Sequence, residues 1–256
     1  MKLFSCKSLL NGVLVGCFLW SLTPATLLFH AEPVHAQNPI RRLLRRFTSR
    51  PKRNQRPETV GRGGANRDRC PYTDQELIAL VPTSENTGLP YLEKTTAAHP
   101  TWHFYVPYKP QLGRQLEFVL LDANENILYK ETFPLNNTPG IISVSLPEKF
   151  SGLEINQAYR WVFSVVCNLN NRSGDATVNG WLERVSSELL TPNLEMVGVQ
   201  ERYLVYVESL LWFDTVNELA NLRESDPKNP EVEEAWSLLL NSLDLLDLPD
   251  TISPLN

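Results

Sequence analysis

The stretch Tyr159-Arg-Trp-Val-Phe-Ser-Val-Val-Cys167 decides how this chain folds. Its odd positions carry tyrosine, tryptophan, phenylalanine, valine and cysteine, so large apolar side chains recur with a strict period of two. Successive residues of a β-strand point to opposite faces, and a period of two therefore places these side chains on one face. The stretch predicts a strand with one face in a core.

Shorter stretches of similar pattern lie on both sides of it, and polar turn residues separate them. They are residues 102–108, 116–121, 127–133, 141–146 and 178–185. Six short strands at this spacing, joined by turns such as Asn136-Asn-Thr-Pro-Gly140, are typical of an antiparallel sandwich. We therefore predict an antiparallel β-sandwich domain over residues 70–185.

The period changes to that of a helix after residue 186. Residues 210–223 carry apolar side chains at helical spacing, and residues 230–243 have the clearest helical pattern in the chain. Asn229 precedes the second helix as an N-cap, and Pro230 takes its first position. The two segments predict a C-terminal helical hairpin over residues 186–256, packed on the sandwich. The predicted fold class is mainly β with α.

Residues 1–36 have the features of a secretory signal peptide. Lys2 and Lys7 precede a largely apolar run, and Val34-His-Ala36 provides a signal peptidase site. Cleavage after Ala36 predicts an exported protein, in the periplasm or outside the cell. Two alternatives stay open. Leu14-Val-Gly-Cys17 matches a lipobox, which predicts a lipoprotein anchored at Cys17, and the apolar run could also remain as an uncleaved anchor.

Two of the four cysteines, Cys70 and Cys167, lie in the mature chain. Export brings them to an oxidising compartment, where a disulfide persists. A Cys70–Cys167 disulfide closes a loop of nearly a hundred residues. The loop-entropy model gives roughly 4 to 5 kcal/mol of stabilisation for such a loop. Two free, buried thiols are the alternative.

Charge is distributed unevenly along the mature chain. Residues 41–69 carry eleven basic and two acidic side chains, a net charge of +9, whereas residues 70–256 carry eleven basic and 26 acidic ones, a net charge of −15. A segment this basic and this poor in apolar residues cannot bury enough surface to fold alone. We therefore predict a disordered basic arm over residues 37–69.

The basic arm is either a flexible tether or an attachment to an anionic partner. Lipid headgroups, a cell-envelope polymer or the acidic body of the chain itself would fit its charge. Residues 41–47 could form one short amphipathic turn in peripheral contact with a membrane. Nucleic acid fits the charge but not the compartment. The residues expected to make this contact are Arg41, Arg42, Arg45, Arg46, Arg50, Lys52 and Arg53.

No set of residues in the sequence predicts a catalytic, cofactor or metal site. His99 and His103 are the only histidines of the mature chain, and we expect both to be hydrogen-bonded structural residues. Asp122, Glu125 and Glu131 cluster near one turn, where we expect solvated carboxylates rather than a catalytic pair. Phosphate-binding and dinucleotide-binding motifs are missing as well. An enzyme is therefore the less favoured class.

The aromatic residues provide a candidate binding site. Some aromatics of each strand must face a core, and the others could form an exposed platform for sugar rings or for a partner protein. The residues of this hypothetical ligand platform are Trp102, Tyr105, Tyr108 and Trp181. Core packing is the competing interpretation.

Seven segments together resemble a known family. They are residues 64–71, 77–82, 100–108, 138–147, 159–167, 180–185 and 211–214. As a string of motifs the chain is similar to the cyanobacterial domain-of-unknown-function family 928, from residue 64 to residue 248. The resemblance implies an exported cyanobacterial protein, and it supplies no catalytic or ligand-binding residues.

Two functional hypotheses follow from the sequence. The first is a non-catalytic binding or scaffolding module of the cell envelope, with an unidentified protein or an anionic polymer as partner. The second is a carbohydrate-binding or carbohydrate-active protein that uses exposed aromatics and a pair of acidic residues. The sequence favours the first, because it contains no defensible catalytic set.

Overall fold

The structure of the chain is a computed structural model, which describes residues 40, 44–45, 70–83, 92–111, 113–243, 245 and 252–255. All of these residues belong to the unit Gln37–Asn256. The predicted signal peptide over residues 1–36, with its lipobox Cys17, lies outside the described residues. None of the helices in the described ranges is long and apolar enough to span a membrane.

Two β-sheets form the body of the protein. In the first sheet, in spatial order, the strands are β1 (Ile78–Ala79), β3 (Thr101–Val106), β6 (Gly140–Ser145) and β9 (Ile252–Pro254). In the second sheet they are β2 (Leu92–Thr95), β8 (Ala176–Arg184), β7 (Ala158–Val166), β4 (Gln115–Leu121) and β5 (Ile127–Pro134). All pairs are antiparallel except β2 with β8 and β6 with β9.

Alternation along β3 explains why the two sheets pack face to face. Phe104 of β3 stacks on Phe163 of β7, with ring centroids 4.0 Å apart. Trp102, two residues earlier and on the same face, lies 4.7 Å from Phe118 of β4. These rings fill the space between the sheets, as in a β-sandwich. The predicted sandwich and its six strands are confirmed.

Three strands were not predicted, because each has only two to four residues. They are β1, β2 and β9, and such short segments show no readable period. Two of them, β2 and β9, make the two parallel pairs. The sandwich is therefore mostly, but not wholly, antiparallel.

Four α-helices follow β8, and the two longer ones are the predicted hairpin. They are α1 (Thr191–Met196), α2 (Arg202–Glu208), α3 (Trp212–Ser225) and α4 (Pro230–Ser242). The Asn229 side chain accepts hydrogen bonds from the backbone N–H groups of Glu231 and Val232, which confirms it as the N-cap of α4. The helices α1 and α2 were not predicted, because six or seven residues are too few for a helical period to stand out.

The start of α3 is hydrogen-bonded to the sandwich. The Trp212 indole N–H donates to the backbone oxygen of Leu80 at 2.7 Å. The Asp214 carboxylate accepts from the backbone N–H of Thr96, with N–O distances of 3.1 Å, and from the Thr96 hydroxyl. These bonds fix the helical hairpin on the sandwich, as the sequence predicted.

The disulfide between Cys70 and Cys167 is present, with the two Cα atoms 5.2 Å apart. It joins the segment that precedes β1 to the residue that follows β7. The backbone N–H of Cys70 also donates to the oxygen of Gly174 at 3.0 Å. The alternative of two free thiols is excluded in this structure.

Part of the predicted basic arm belongs to the core. Ile40 and Leu44 are helical and only 2% and 1% exposed, within the main hydrophobic cluster of the protein. The prediction of a disordered arm over residues 37–69 is therefore wrong at these two positions. Their spacing of four places both apolar side chains on one side of a helical turn, and the core of the body covers that side.

Candidate functional site

The predicted aromatic platform is not exposed. Trp102, Tyr105, Tyr108 and Trp181 are only 1 to 9% exposed. Trp102, for example, packs against two elements: its ring contacts Phe118 of the second sheet and Phe213 of α3, with ring centroids 4.7 and 5.9 Å away. The platform prediction is wrong, and core packing accounts for these aromatics.

A cavity of about 370 Å³ lies instead between the outer face of the first sheet and α3. We call it the His103 cavity. Its lining residues are Thr101, His103, Ser143, Ser145, Asn217, Ala220, Asn221, Arg223, Glu224, Ile252 and Pro254. This volume falls in the range of about 300 to 1,000 Å³ that small-molecule sites occupy.

The strand wall of the His103 cavity is a polar patch of four side chains. Thr101 pairs with Ser145 and His103 pairs with Ser143 in the register of β3 and β6. Thr101 and His103 are two positions apart in β3, and Ser143 and Ser145 are two positions apart in β6. All four side chains therefore lie on one face of the sheet. The hydroxyls of Thr101 and Ser145 lie 2.8 Å apart and are hydrogen-bonded to each other.

His103 is the unusual member of this patch. It is 6% exposed, and its imidazole forms no hydrogen bond or ion pair with any residue that the structure describes. Burial lowers the pKa of His103 from its ordinary 6.5 to about 4, so the ring is neutral at neutral pH. None of the described residues provides the hydrogen bond that we expected for His103. A neutral imidazole offers one donor and one acceptor to the cavity.

The helix wall comes from one face of α3. Asn217, Ala220, Asn221 and Glu224 follow the spacing i, i+3, i+4 and i+7, which places them on one side of the helix. The fifth lining residue, Arg223, is already engaged by α4. Its guanidinium donates to Glu233 at 2.8 Å and lies 5.0 Å from the ring centre of Trp236.

The third wall is the C-terminal strand. Ile252 and Pro254 of β9 line the cavity from the edge of the first sheet. With Ala220 of α3 they give the cavity an apolar side next to the polar patch. The site therefore combines hydroxyl, amide and imidazole groups with a small apolar surface.

A smaller pocket of about 180 Å³ adjoins the cavity and shares Thr101 and Asn217 with it. Burial raises the pKa of Asp214 in this pocket, although hydrogen bonds from Thr96 act in the opposite direction. Burial also raises the pKa of Glu218, one turn later on α3, and the charge of Asp214 adds to that effect. The Asp214 carboxylate already accepts hydrogen bonds from Thr96. We therefore assign Asp214 a structural role, in the attachment of α3 to the sandwich, and not a role in ligand binding.

The other histidine and the acidic turn have structural partners. The Nε2 atom of His99 lies 2.8 Å from the backbone oxygen of Phe150, within hydrogen-bonding distance. Asp122 accepts hydrogen bonds from Asn124 and Asn126, and these bonds from Asn126 hold the pKa of Asp122 below its ordinary value. Glu125 forms an ion pair with Arg160 at 3.0 Å. These groups shape turns, as expected.

The remaining predicted residues are not tested by the structure. Of the basic residues of the arm only Arg45 is described, and its side chain is exposed. The others lie outside the described residues: Arg41, Arg42, Arg46, Arg50, Lys52 and Arg53. Among the described residues, no three His, Cys, Asp or Glu side chains come together as a metal site.

Sequence reasoning missed the cavity for a physical reason. The signals were present as alternating polar residues, His103 in β3 and Ser143 in β6, on strands that were predicted correctly. What the sequence does not contain is the position of α3 over that face. Only the packing of α3 on this face brings the separate polar positions together in one cavity.

Comparison with known proteins identifies a family but no function. The family model described as Domain of Unknown Function (DUF928) matches residues 62–251. The match includes the strand and helix walls of the His103 cavity and ends directly before β9. None of the curated proteins matches the chain.

Proposed function

We propose, from the premise that the chain belongs to the DUF928 family, that it is a non-catalytic binding module. The bound molecule would be small, uncharged and rich in hydroxyl groups, as a sugar is, and it would occupy the His103 cavity. One observation carries the proposal: the buried imidazole of His103 lines a cavity and has no protein partner among the described residues. Ring nitrogens that line a cavity can form hydrogen bonds with a ligand that enters it.

The chemistry of the walls supports a neutral polyol. Ser143 and Asn217 can each donate and accept a hydrogen bond, and so can the neutral imidazole of His103. A hydroxyl group of a sugar also does both. The apolar side formed by Ile252 and Pro254 would lie against a ring face that carries only C–H groups. The sugar hypothesis thus rests on the cavity and no longer on exposed aromatics.

Binding is favoured over catalysis by the state of the histidine. A general base works best when its pKa lies near the working pH. The pKa of His103, about 4, makes it a weak base at neutral pH. A ring that stays neutral at this pH suits a group that orients a ligand by hydrogen bonds.

We also propose that the protein is exported to the envelope of a cyanobacterial cell, as the family resemblance implies. The disulfide supports export, because disulfides persist in oxidising compartments. The basic arm beyond Leu44 would hold the body near an anionic envelope polymer or membrane. A native N-terminus at Gln37, read by mass spectrometry, would support this part, whereas an acylated Cys17 would replace it with the lipoprotein alternative.

The binding proposal is tested by titrating the protein, without residues 1–36, with neutral sugars such as glucose, N-acetylglucosamine and cellobiose. The readout is the imidazole NMR signals of the two histidines of the mature chain. We expect a bound sugar to shift the signals of His103 and to leave those of His99 unchanged, since His99 is already bonded to Phe150.

Two variants complete this test. His103→Phe removes the hydrogen-bonding ring nitrogens, and we expect a loss of about tenfold in affinity, the equivalent of one hydrogen bond of about 1.4 kcal/mol. His99→Gln is the matched control and should bind normally. If none of the sugars shifts His103, or if His103→Phe binds as well as the unmodified protein, the proposed function is wrong.

A further inference from the structure

The strand β9 is attached to the body at one edge of the first sheet. It pairs in parallel with β6 over three residue pairs, Ile141 with Ile252, Ile142 with Ser253, and Ser143 with Pro254. The backbone N–H of Leu255 donates to the oxygen of Ser143 at 3.0 Å. Pro254 has no N–H group to donate. The ladder that holds this strand is therefore short.

The strand beside it, β6, is well suited to pair with another chain. β6 reads Gly-Ile-Ile-Ser-Val-Ser, with no charged residue and no proline, and residues 140–144 are buried. A sheet edge without charged residues or proline readily pairs with a further strand, because its backbone N–H and C=O groups can form hydrogen bonds with it. The pairing with β9 stops at Ser143, although β6 continues to Ser145.

The edge of β6 and the strand β9 differ in their relation to the family match. The family match ends at residue 251, one residue before β9 begins. The matched part includes the sandwich strands β1 to β8 and the four helices, and the edge of β6 lies within it.

We propose that the edge of β6 over Ile141–Ser143 is a docking site for an extended segment of a partner protein, and that β9 occupies this site in the free protein. The mode is β-strand addition, in which backbone hydrogen bonds provide the affinity and alternate side chains provide the specificity. The proposal does not depend on the identity of the small ligand.

The residues of β9 show which side chains the partner segment needs. Ile252 and Pro254 lie on one face and line the His103 cavity, while Leu255 packs on the hydrophobic core. No residue of β9 carries a charge, which matches the uncharged sequence of β6. The partner segment is therefore extended and uncharged, with an apolar residue at every second position.

A peptide-binding experiment tests the site. A variant that lacks residues 251–256 is mixed with a fluorescent peptide of the sequence Thr-Ile-Ser-Pro-Leu-Asn, and binding is followed by fluorescence anisotropy. We expect saturable binding to the shortened protein. The intact protein should bind about tenfold or more weakly, because a tethered strand competes at an effective concentration in the millimolar range. A peptide with Ile252→Asp is the matched control and should not bind.

Two further measurements keep the outcome clear. If the shortened protein does not fold by circular dichroism, the full chain with Ile252→Asp and Leu255→Asp releases the strand without deleting it, and this variant should bind the unmodified peptide. Failure of a folded variant to bind, or equal binding by the intact protein, would overturn the proposal. A dimer of the intact protein that disappears on deletion of residues 251–256, seen by light scattering, would replace the partner protein with a second copy of this chain.

Discussion

A single side chain, His103, shows how burial sets chemical behaviour in this protein. It sits in the middle of β3, and its neutral ring is held between the first sheet and α3. The charged residues that face it across the cavity are Arg223 and Glu224 of α3, and Arg223 is bound to Glu233. Burial, rather than a neighbouring charge, lowers its pKa.

This residue should make stability depend on pH. The pKa of His103 is about 4 in the folded protein and 6.5 in the unfolded chain, so between these values the unfolded chain binds a proton that the folded protein does not. As pH falls from about 6.5 to 4, the free energy of unfolding therefore decreases by about 3 kcal/mol because of His103. His103→Gln has no such proton to bind.

Urea unfolding at pH 7.5, 6, 5 and 4 measures this effect. The free energy of unfolding of the unmodified protein should fall relative to that of His103→Gln across this range, by the amount just given. Parallel pH curves for the two proteins would show that the imidazole is not held neutral in the fold.

At the scale of strands and helices, length decided what the sequence could predict. The six strands of six or more residues and the two long helices each had a readable period or a capping residue such as Asn229. The strands β1, β2 and β9 and the helices α1 and α2 had neither. Two walls of the candidate site, β3 with β6 and α3, were thus predictable as elements, whereas β9 and the approach of α3 to the sheet depend on tertiary packing.

The pairing of β7 with β8 depends on one glycine. Gly180 stands opposite Trp161 in the register of the two strands. A Cβ atom at position 180 would lie 2.4 Å from Cζ2 of the Trp161 ring, which is itself buried and cannot move away. Gly180→Ala should therefore destabilise the protein by about 1 to 3 kcal/mol, as overpacking usually does.

Thermal and urea unfolding of this variant check the expectation. Gly198→Ala is the matched control, because a Cβ atom there meets no atom within 4 Å. Its free energy of unfolding should change by no more than about 0.5 kcal/mol. If the two variants are equally stable, the ring of Trp161 is not fixed over Gly180.

At the scale of the whole molecule, one hydrophobic cluster joins the two sheets, α3 and α4, and it also includes Ile40 and Leu44. Composition predicted the acidic body, and the cysteine count together with the predicted export signal predicted the single disulfide. It could not predict that two residues of the basic arm enter the core, because charge statistics average over the apolar positions between arginines. The spacing of Ile40 and Leu44 was the available signal.

Removing the disulfide should lower the stability of the whole body. We expect the double variant Cys70→Ser, Cys167→Ser to lose about 2 to 5 kcal/mol of unfolding free energy, since its unfolded chain is no longer cross-linked. The measurement is urea unfolding with and without reductant. Reductant should bring the unmodified protein to the level of the double variant and leave the double variant unchanged, and equal stability of both proteins without reductant would contradict the expectation.

The same bond also changes the connectivity of the polypeptide. With Cys70 and Cys167 joined, the backbone between them is a closed ring, and residues before and after it are two tails attached at neighbouring points. A protease that cuts once within the ring produces two fragments that remain one covalent molecule. The nicked protein would run as a single band on a gel without reductant and as two bands with it. For a protein exported as proposed above, such a ring would keep the two products of a cleavage in one molecule.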